Sequence, residues 1–242
     1  MTPLYRGHLA LLFAPLGALG ASSVAPTSVE LLHSRQVATI QVSNPGPQLM
    51  RIQASATKLS PTRDGVEREP TNELVVVPAL AELRPGARQV FRVALRRSEP
   101  SLIERNYRLL LQEVAVAAQE AGVSARLTIA HDLPVSILPA AATEHRVTWS
   151  VCAPAATPPG RATAGCLLLH NQGNRRIRIA SLTLRSGNEA RTTALTPDVL
   201  LLPNEASAIA IAVAWPGGLL GRSAAVTLTS GVIIEAVARA QP

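Results

Sequence analysis

The chain alternates apolar and polar positions in short runs, broken at near-regular intervals by proline, glycine and asparagine. Val37–Ser43 sets Ala38, Ile40 and Val42 against Thr39, Gln41 and Ser43; Arg51–Thr57 sets Ile52, Ala54 and Ala56 on one side. Successive strand side chains point to opposite faces, so each run predicts a strand with one buried face. Glu73–Val77, the Phe91, Val93 and Leu95 run, and Tyr107–Val114 extend the pattern. Asn44-Pro45-Gly46-Pro47 and Arg84-Pro85-Gly86-Ala87 predict turns, and Pro61–Pro70 predicts a polar loop. No long amphipathic helix is present.

The longest run is Val123–Pro139. Val123, Ala125, Leu127, Ile129, Leu133, Val135 and Ile137 take odd positions, interrupted by His131, while Ser124, Arg126, Thr128, Ala130, Asp132 and Ser136 take even ones. This predicts a long strand with one apolar face. Proline cannot donate to a ladder, so Pro134 predicts a sheet edge or a bulge. The odd face has two readings: it packs in its own domain, or it pairs with another chain, as long edge strands do.

Pro139 to Thr143 predicts a hinge of small residues. Beyond it, Trp149–Cys152, Cys166–Leu169, Arg176–Arg185, Val199–Leu202, Ile209–Trp215, Val226–Thr229 and Val232–Arg239 predict further strands. Leu182 and Leu184 change parity relative to Ile177 and Ile179, which predicts a bulge. About seven strands before the hinge and a similar set after it predict an all-β chain of two antiparallel sandwiches, 22–138 and 139–242.

Composition narrows the function. The 242 residues are 47% hydrophobic, with a net charge of +7 and Lys58 as the sole lysine. The arginines are scattered through strands and aromatics make up 2%, so clustered cations with stacking rings, the mark of nucleic-acid binding, are missing. Residues 1–21 read as a cleaved secretory signal: Arg6 and His8, an apolar run Leu9–Leu19, then Ala18, Gly20 and Ala21. The run is too short to span a bilayer. Export permits a disulfide between Cys152 and Cys166, the alternative being two buried thiols. Dispersed histidines argue against a metal site. No P-loop, dinucleotide fingerprint or nucleophile elbow occurs, and His131-Asp132 are strand neighbours that face opposite ways. No enzyme, cofactor or small-molecule substrate is expected.

Three segments in order carry a resemblance: NELVVVPALAELRPGARQVFRVALRR (Asn72 to Arg97), ERNYRLLLQEV (Glu104 to Val114) and LPVSILP (Leu133 to Pro139). Together they resemble periplasmic pilus-assembly chaperones of the chaperone–usher pathway; LLLHNQGNRRIRIASLTL resembles that family's second domain. The resemblance implies two immunoglobulin-like β-sandwich domains joined by a short hinge, in the periplasm. It implies that the Val123–Ile137 strand is donated to a pilus subunit, a known mode of strand addition. Ala125, Leu127 and Ile129 then supply the donor side chains, and an outer-membrane usher receives the subunit. The short connection before the strand implies the short-loop type. Family members anchor the subunit's C-terminal carboxylate on two cleft cations; those positions here hold Ser28 and Pro134. His131 and Arg108 are the candidate substitutes. The alternative is an extracytoplasmic structural or adhesive two-domain β-sandwich protein with no pilin client.

Overall fold

Alternating runs with one apolar face bury that face only by stacking sheets. A computed structural model describes residues 22–62, 65–97, 99–114, 128–152, 165–211 and 222–239, and among these there is no helix. Ten strands precede the hinge: β1 (Ser23–Ala25), β2 (Val29–Leu31), β3 (Val37–Ser43), β4 (Met50–Thr62), β5 (Gly65–Pro70), β6 (Leu74–Val77), β7 (Leu80–Leu83), β8 (Arg88–Leu95), β9 (Arg105–Val114) and β10 (Ala130–Ile137). One sheet runs β1-β3-β8-β6; the other runs β2-β10-β9-β4-β5, with β7 also on β4. Ile40, Val42, Phe91 and Val93 of the first sheet meet Ile52, Leu109, Leu111 and Val135 of the second in one core.

The chain switches sheets at its start. β1 pairs antiparallel with β3, and β2 pairs parallel with β10. Pro26, between them, has no N–H with which to continue a ladder. Neither strand was predicted, since three residues are too few to show a period. The loop predicted at Pro61–Pro70 is instead a hairpin: β4 runs on to Thr62 and pairs with β5, Thr57 opposite Pro70 and Thr62 opposite Gly65. β5 is a sheet edge, where a proline costs no ladder bond.

Among the described residues, seven strands follow the hinge: β11 (Val147–Cys152), β12 (Gly165–Asn171), β13 (Ile177–Ser186), β14 (Glu189–Leu201), β15 (Ala206–Ile211), β16 (Ser223–Leu228) and β17 (Ile233–Ala238). They form the order β14-β13-β16-β17-β11-β12-β15. The β11–β17 joint is parallel and carries only Thr148 opposite Val237 and Trp149 opposite Ala238. Around it the two halves enclose a core of Trp149, Leu167, Leu169, Ile177, Ile179, Val226 and Ile234. The expected bulge is present: the register of β13 shifts between Ile179 and Ser181 against both neighbours. Cys152 and Cys166 face each other across β11 and β12 and are joined by a disulfide, Cα–Cα 5.1 Å.

The two domains repeat one turn device. Asn44, at the end of β3, donates through Nδ2 to Gln48 O (2.7 Å) and Leu83 O (3.0 Å) and accepts from Gly46 N. Asn171, at the end of β12, donates to Arg175 O (2.8 Å) and Leu201 O (3.2 Å) and accepts from Gly173 N. Both asparagines are buried, so these bonds supply their side-chain amides with the partners that burial requires. The backbone oxygen of each accepts from a residue at positive φ, Gly86 (72°) and Asn204 (66°), the two residue types that tolerate that region.

Candidate functional site

β10 organises the site because its two edges and two faces are treated differently. Along one edge all eight residues pair with β9, from Ala130 opposite Gln112 to Ile137 opposite Arg105. Along the other, β2 covers only Val135, Ser136 and Ile137. Among the described residues, Ala130–Pro134 therefore have no strand on the outer edge. That is the edge character expected from Pro134.

The odd face is divided too. Leu133, Val135 and Ile137 are buried in the domain's own core, while Ile129 is half-buried. The donor strand expected over Val123–Ile137 is thus committed to its own domain at its C-terminal end. Ile129 O accepts from Glu113 N (2.9 Å), so the ladder with β9 reaches one residue before β10. Ala125 and Leu127 lie outside the described residues.

The even face looks outward and leads to the second domain. Ser136 Oγ donates to Asn106 Oδ1 at 2.9 Å, and both are buried. Arg176, at the β12–β13 turn, donates to Ser136 Oγ. Beneath lies Glu104, whose side chain is 0% exposed, with Arg175 Nε at 3.2 Å and Arg176 Nη1 at 3.8 Å. Glu30 of β2 binds both guanidinium groups, at 3.3 and 3.1 Å. A buried carboxylate is tolerated only when paired, and two arginines from the other domain pair Glu104. The backbone repeats the link: Glu104 N donates to Asn174 O and Ala140 N donates to Ser101 O. The hinge docks on the same turn, with Gln172 N and Gly173 N donating to Arg146 O and Asn174 N donating to Glu144 O. A Cβ on Gly173 would stand 2.4 Å from Glu144 O, so only glycine fits there.

One side-chain step up that face from Asn106 and Ser136 lie Arg108 and Pro134, opposite each other. Thr57 of β4 completes the row. Arg108 Nε is buried without a hydrogen-bond partner, 3.8 Å from Asp132 Oδ1. Arg68 of β5 holds the other oxygen of Asp132 at 3.1 Å. His131 takes odd parity, on the opposite face from Arg108, and its Nε2 pairs with Ser22 Oγ at 2.8 Å. The two candidate cations are therefore on different faces of one sheet, and Arg108 has the face that leads to the interdomain junction.

A second polar cluster ties the two sheets together. Glu73 accepts from Lys58 Nζ (2.6 Å), the Tyr107 hydroxyl (2.6 Å) and Arg105 Nη1 (3.3 Å). Burial pushes Glu73 upward, but Lys58, Tyr107 and Arg105 outweigh it and hold the carboxyl below the usual range. Tyr107 is pushed up, first by burial and then by the Glu73 carboxylate. Among the described residues, no group of His, Cys, Asp or Glu is arranged to hold a metal ion, and no helix is long and apolar enough to cross a membrane.

The family described as pili and flagellar-assembly chaperone, PapD N-terminal domain, matches residues 21–142. The chain belongs to this family. No curated protein sequence matches it significantly. Among solved structures, a chain of the CsuC–CsuE chaperone–tip adhesion subunit pre-assembly complex from archaic chaperone-usher Csu pili of Acinetobacter baumannii shares its fold. That similarity has TM-score 0.66 at 15% identity and covers 91% of this chain and 100% of the other. The E. coli chaperone DraB is similar at TM-score 0.56 and 16% identity, covering 91% of this chain and 97% of its own. A chain of the Salmonella enterica SafA pilin–SafB chaperone complex gives TM-score 0.56 at 16% identity, over 90% and 97% of the two chains. At these identities the likeness establishes the two-domain β-sandwich fold of PapD-like chaperones.

In this pilus chaperone the register puts Val29 beside Val135. Ser28 thus adjoins the Pro134 row, with Arg108 across from it. Arg68, Asp132, Glu30, Glu104, Arg175 and Arg176 were not foreseen. They join residues far apart in sequence, and only the adjacent Arg175-Arg176 after the Asn171–Asn174 turn carried any local signal.

Proposed function

We propose that this chain is a periplasmic chaperone that caps pilus subunits with the strand leading into β10 and passes them to an outer-membrane usher. The observation that carries the reading is the half-open outer edge of β10: β2 covers Val135–Ile137 and stops, leaving Ala130–Pro134 to accept another chain. Unpaired strand edges recruit strands, with main-chain bonds giving affinity and alternate side chains giving fit. Ile129, half-buried on the odd face, is the last donor position before the core begins, and the sequence alternation continues it through Leu127 and Ala125. Arg108 is the cleft cation that receives the subunit's terminal carboxylate in place of the residues missing at Ser28 and Pro134. Residues 1–21 are the export signal, 22–138 the chaperone domain and 139–242 the supporting one.

The test is affinity capture from a periplasmic extract of the native host, with mass spectrometry of what is retained. The expected result is a small β-rich subunit captured by the mature chain and lost with Arg108→Ala and Ile129→Asp. Capture unchanged by both substitutions would remove β10 and Arg108 from the binding site.

A further inference from the structure

We propose that the outward face of the β1-β3-β8-β6 sheet docks on an anionic phospholipid surface, with Arg35, Arg88, Arg92 and Arg96 as its phosphate-binding groups. The surface is separate from the β10 edge and needs no subunit.

Charge is segregated between the two sheets of the first domain. The arginine ion pairs among the described residues all lie on the second sheet or in the second domain. Arg35, Arg88, Arg92 and Arg96 are exposed, and among the described residues none of them pairs with a carboxylate. Arg96 has one bond to the chain, Nε donating to Asn72 O at 2.9 Å. The strands β1, β3, β6 and β8 contain no acidic residue at all.

Register gathers these cations on one face. Phe91 and Val93 of β8 point into the core, so Arg88, Val90, Arg92 and Ala94 point out. Arg96 continues that parity one residue past the strand, about 26 Å along from Arg88. Thr39 of β3 and Val77 of β6 flank Arg92, and Val37 and Val75 flank Ala94. Arg35 keeps the outward parity of Val37, just ahead of β3. Val37, Val77 and Val90 lie on the same face and are 39% to 56% exposed.

A face with cations and no anions suits a partner that is negative throughout. Protein interfaces set their register with charges of both signs and anchor on large aromatic side chains. Here there is no carboxylate, and the one aromatic residue of the four strands, Phe91, is buried in the core. A leaflet rich in anionic phospholipid is uniform and requires no register. Guanidinium groups bind phosphate oxygens in pairs, and short aliphatic groups among them suit the boundary between headgroups and acyl chains. The two sheets stack over a common core, so docking through the first leaves β10, in the second, clear of the lipid.

The probe is co-flotation of the chain without residues 1–21 with vesicles of phosphatidylcholine, alone or with 30% phosphatidylglycerol. Binding is expected only with phosphatidylglycerol, and 1 M NaCl should release it, since charges are then screened within about 3 Å. Each arginine near an anionic surface is worth about fivefold in partition, so Arg88→Gln with Arg92→Gln should weaken binding about 25-fold. Arg146→Gln with Arg239→Gln removes the same net charge from exposed positions elsewhere and should change partition by less than about twofold. All four side chains are exposed, and thermal melts check that both variants fold. Equal binding to the two vesicle types overturns the inference. So does an equal loss in the two double variants, which would make the attraction one of net charge alone. Vesicle binding unmoved by Arg88→Gln with Arg92→Gln, while capture of a periplasmic protein falls, would make the face a protein-docking surface and likewise refute the lipid assignment.

Discussion

Ile129 and Val135 occupy the same face of one strand, so replacing each by aspartate separates the donor reading from simple packing. Val135 is 0% exposed in the first domain's core. Val135→Asp forfeits about 1.5–3 kcal/mol of side-chain burial. It also buries an unpaired polar or charged group, at about 2 kcal/mol or more. The sum, at least about 4 kcal/mol, is a large share of a domain stability of about 5–15 kcal/mol. At about 4 °C per kcal/mol, the melting temperature should fall by about 16 °C or more, or the chain should fail to accumulate. Ile129 is half-buried and precedes the core, so Ile129→Asp should lose about 1 kcal/mol and about 4 °C. Circular-dichroism melts of the mature chain measure both, and periplasmic capture is scored in parallel. Ile129→Asp should fold and lose its subunit, because its charge is desolvated only in the complex. A melt as low as that of Val135→Asp, with capture retained by the folded fraction, would make Ile129 a core residue and refute the assignment of the β10 edge.

Gly173→Ala should disturb the seat of the hinge, since its Cβ would stand 2.4 Å from Glu144 O; limited proteolysis should cut the 140–146 segment faster while each domain's core remains protected. Glu73 has a folded pKa below its unfolded one, so its contribution is present above the ordinary glutamate range and is lost as pH falls through the depressed value. Acid melts should show Glu73→Gln flattening that part of the stability–pH curve; an unchanged slope would exclude the Lys58–Glu73–Arg105–Tyr107 cluster as its source. Replacing Cys152 and Cys166 together by alanine should cost the second domain about 3 kcal/mol, read from denaturant unfolding, and leave the first domain's transition in place.

Alternation in the sequence was enough to place strands β3, β6, β8, β9 and β10 and most of those beyond the hinge, because side-chain parity is a local property of extended backbone. The parity change at Leu182 located the bulge, and of the two readings left open for Cys152 and Cys166 the structure has the disulfide. His131 and Arg108 could not be separated in this way: they lie on different strands, and only the register that sets Arg108 opposite Pro134 puts them on opposite faces. β1 and β2 escaped notice because three residues show no period. The β4–β5 hairpin read as loop because Pro61 and Pro70 signal turns unless a free sheet edge absorbs them.

The family itself was legible from three ordered motifs, since each is a contiguous segment. The charged parts of the site were not. Glu104 is buried by arginines from another domain, and Asp132 is held by Arg68 of β5, three strands along in the sheet order. Sequence determines which residues face inward or outward on a strand. Which outward charges meet depends on register, on the curl of a hairpin and on how two sandwiches dock. Those are set by the packing of whole sheets and by no segment alone. For that reason the charges gathered around the β10 edge, an edge that Pro134 had signalled, became visible only in the folded chain.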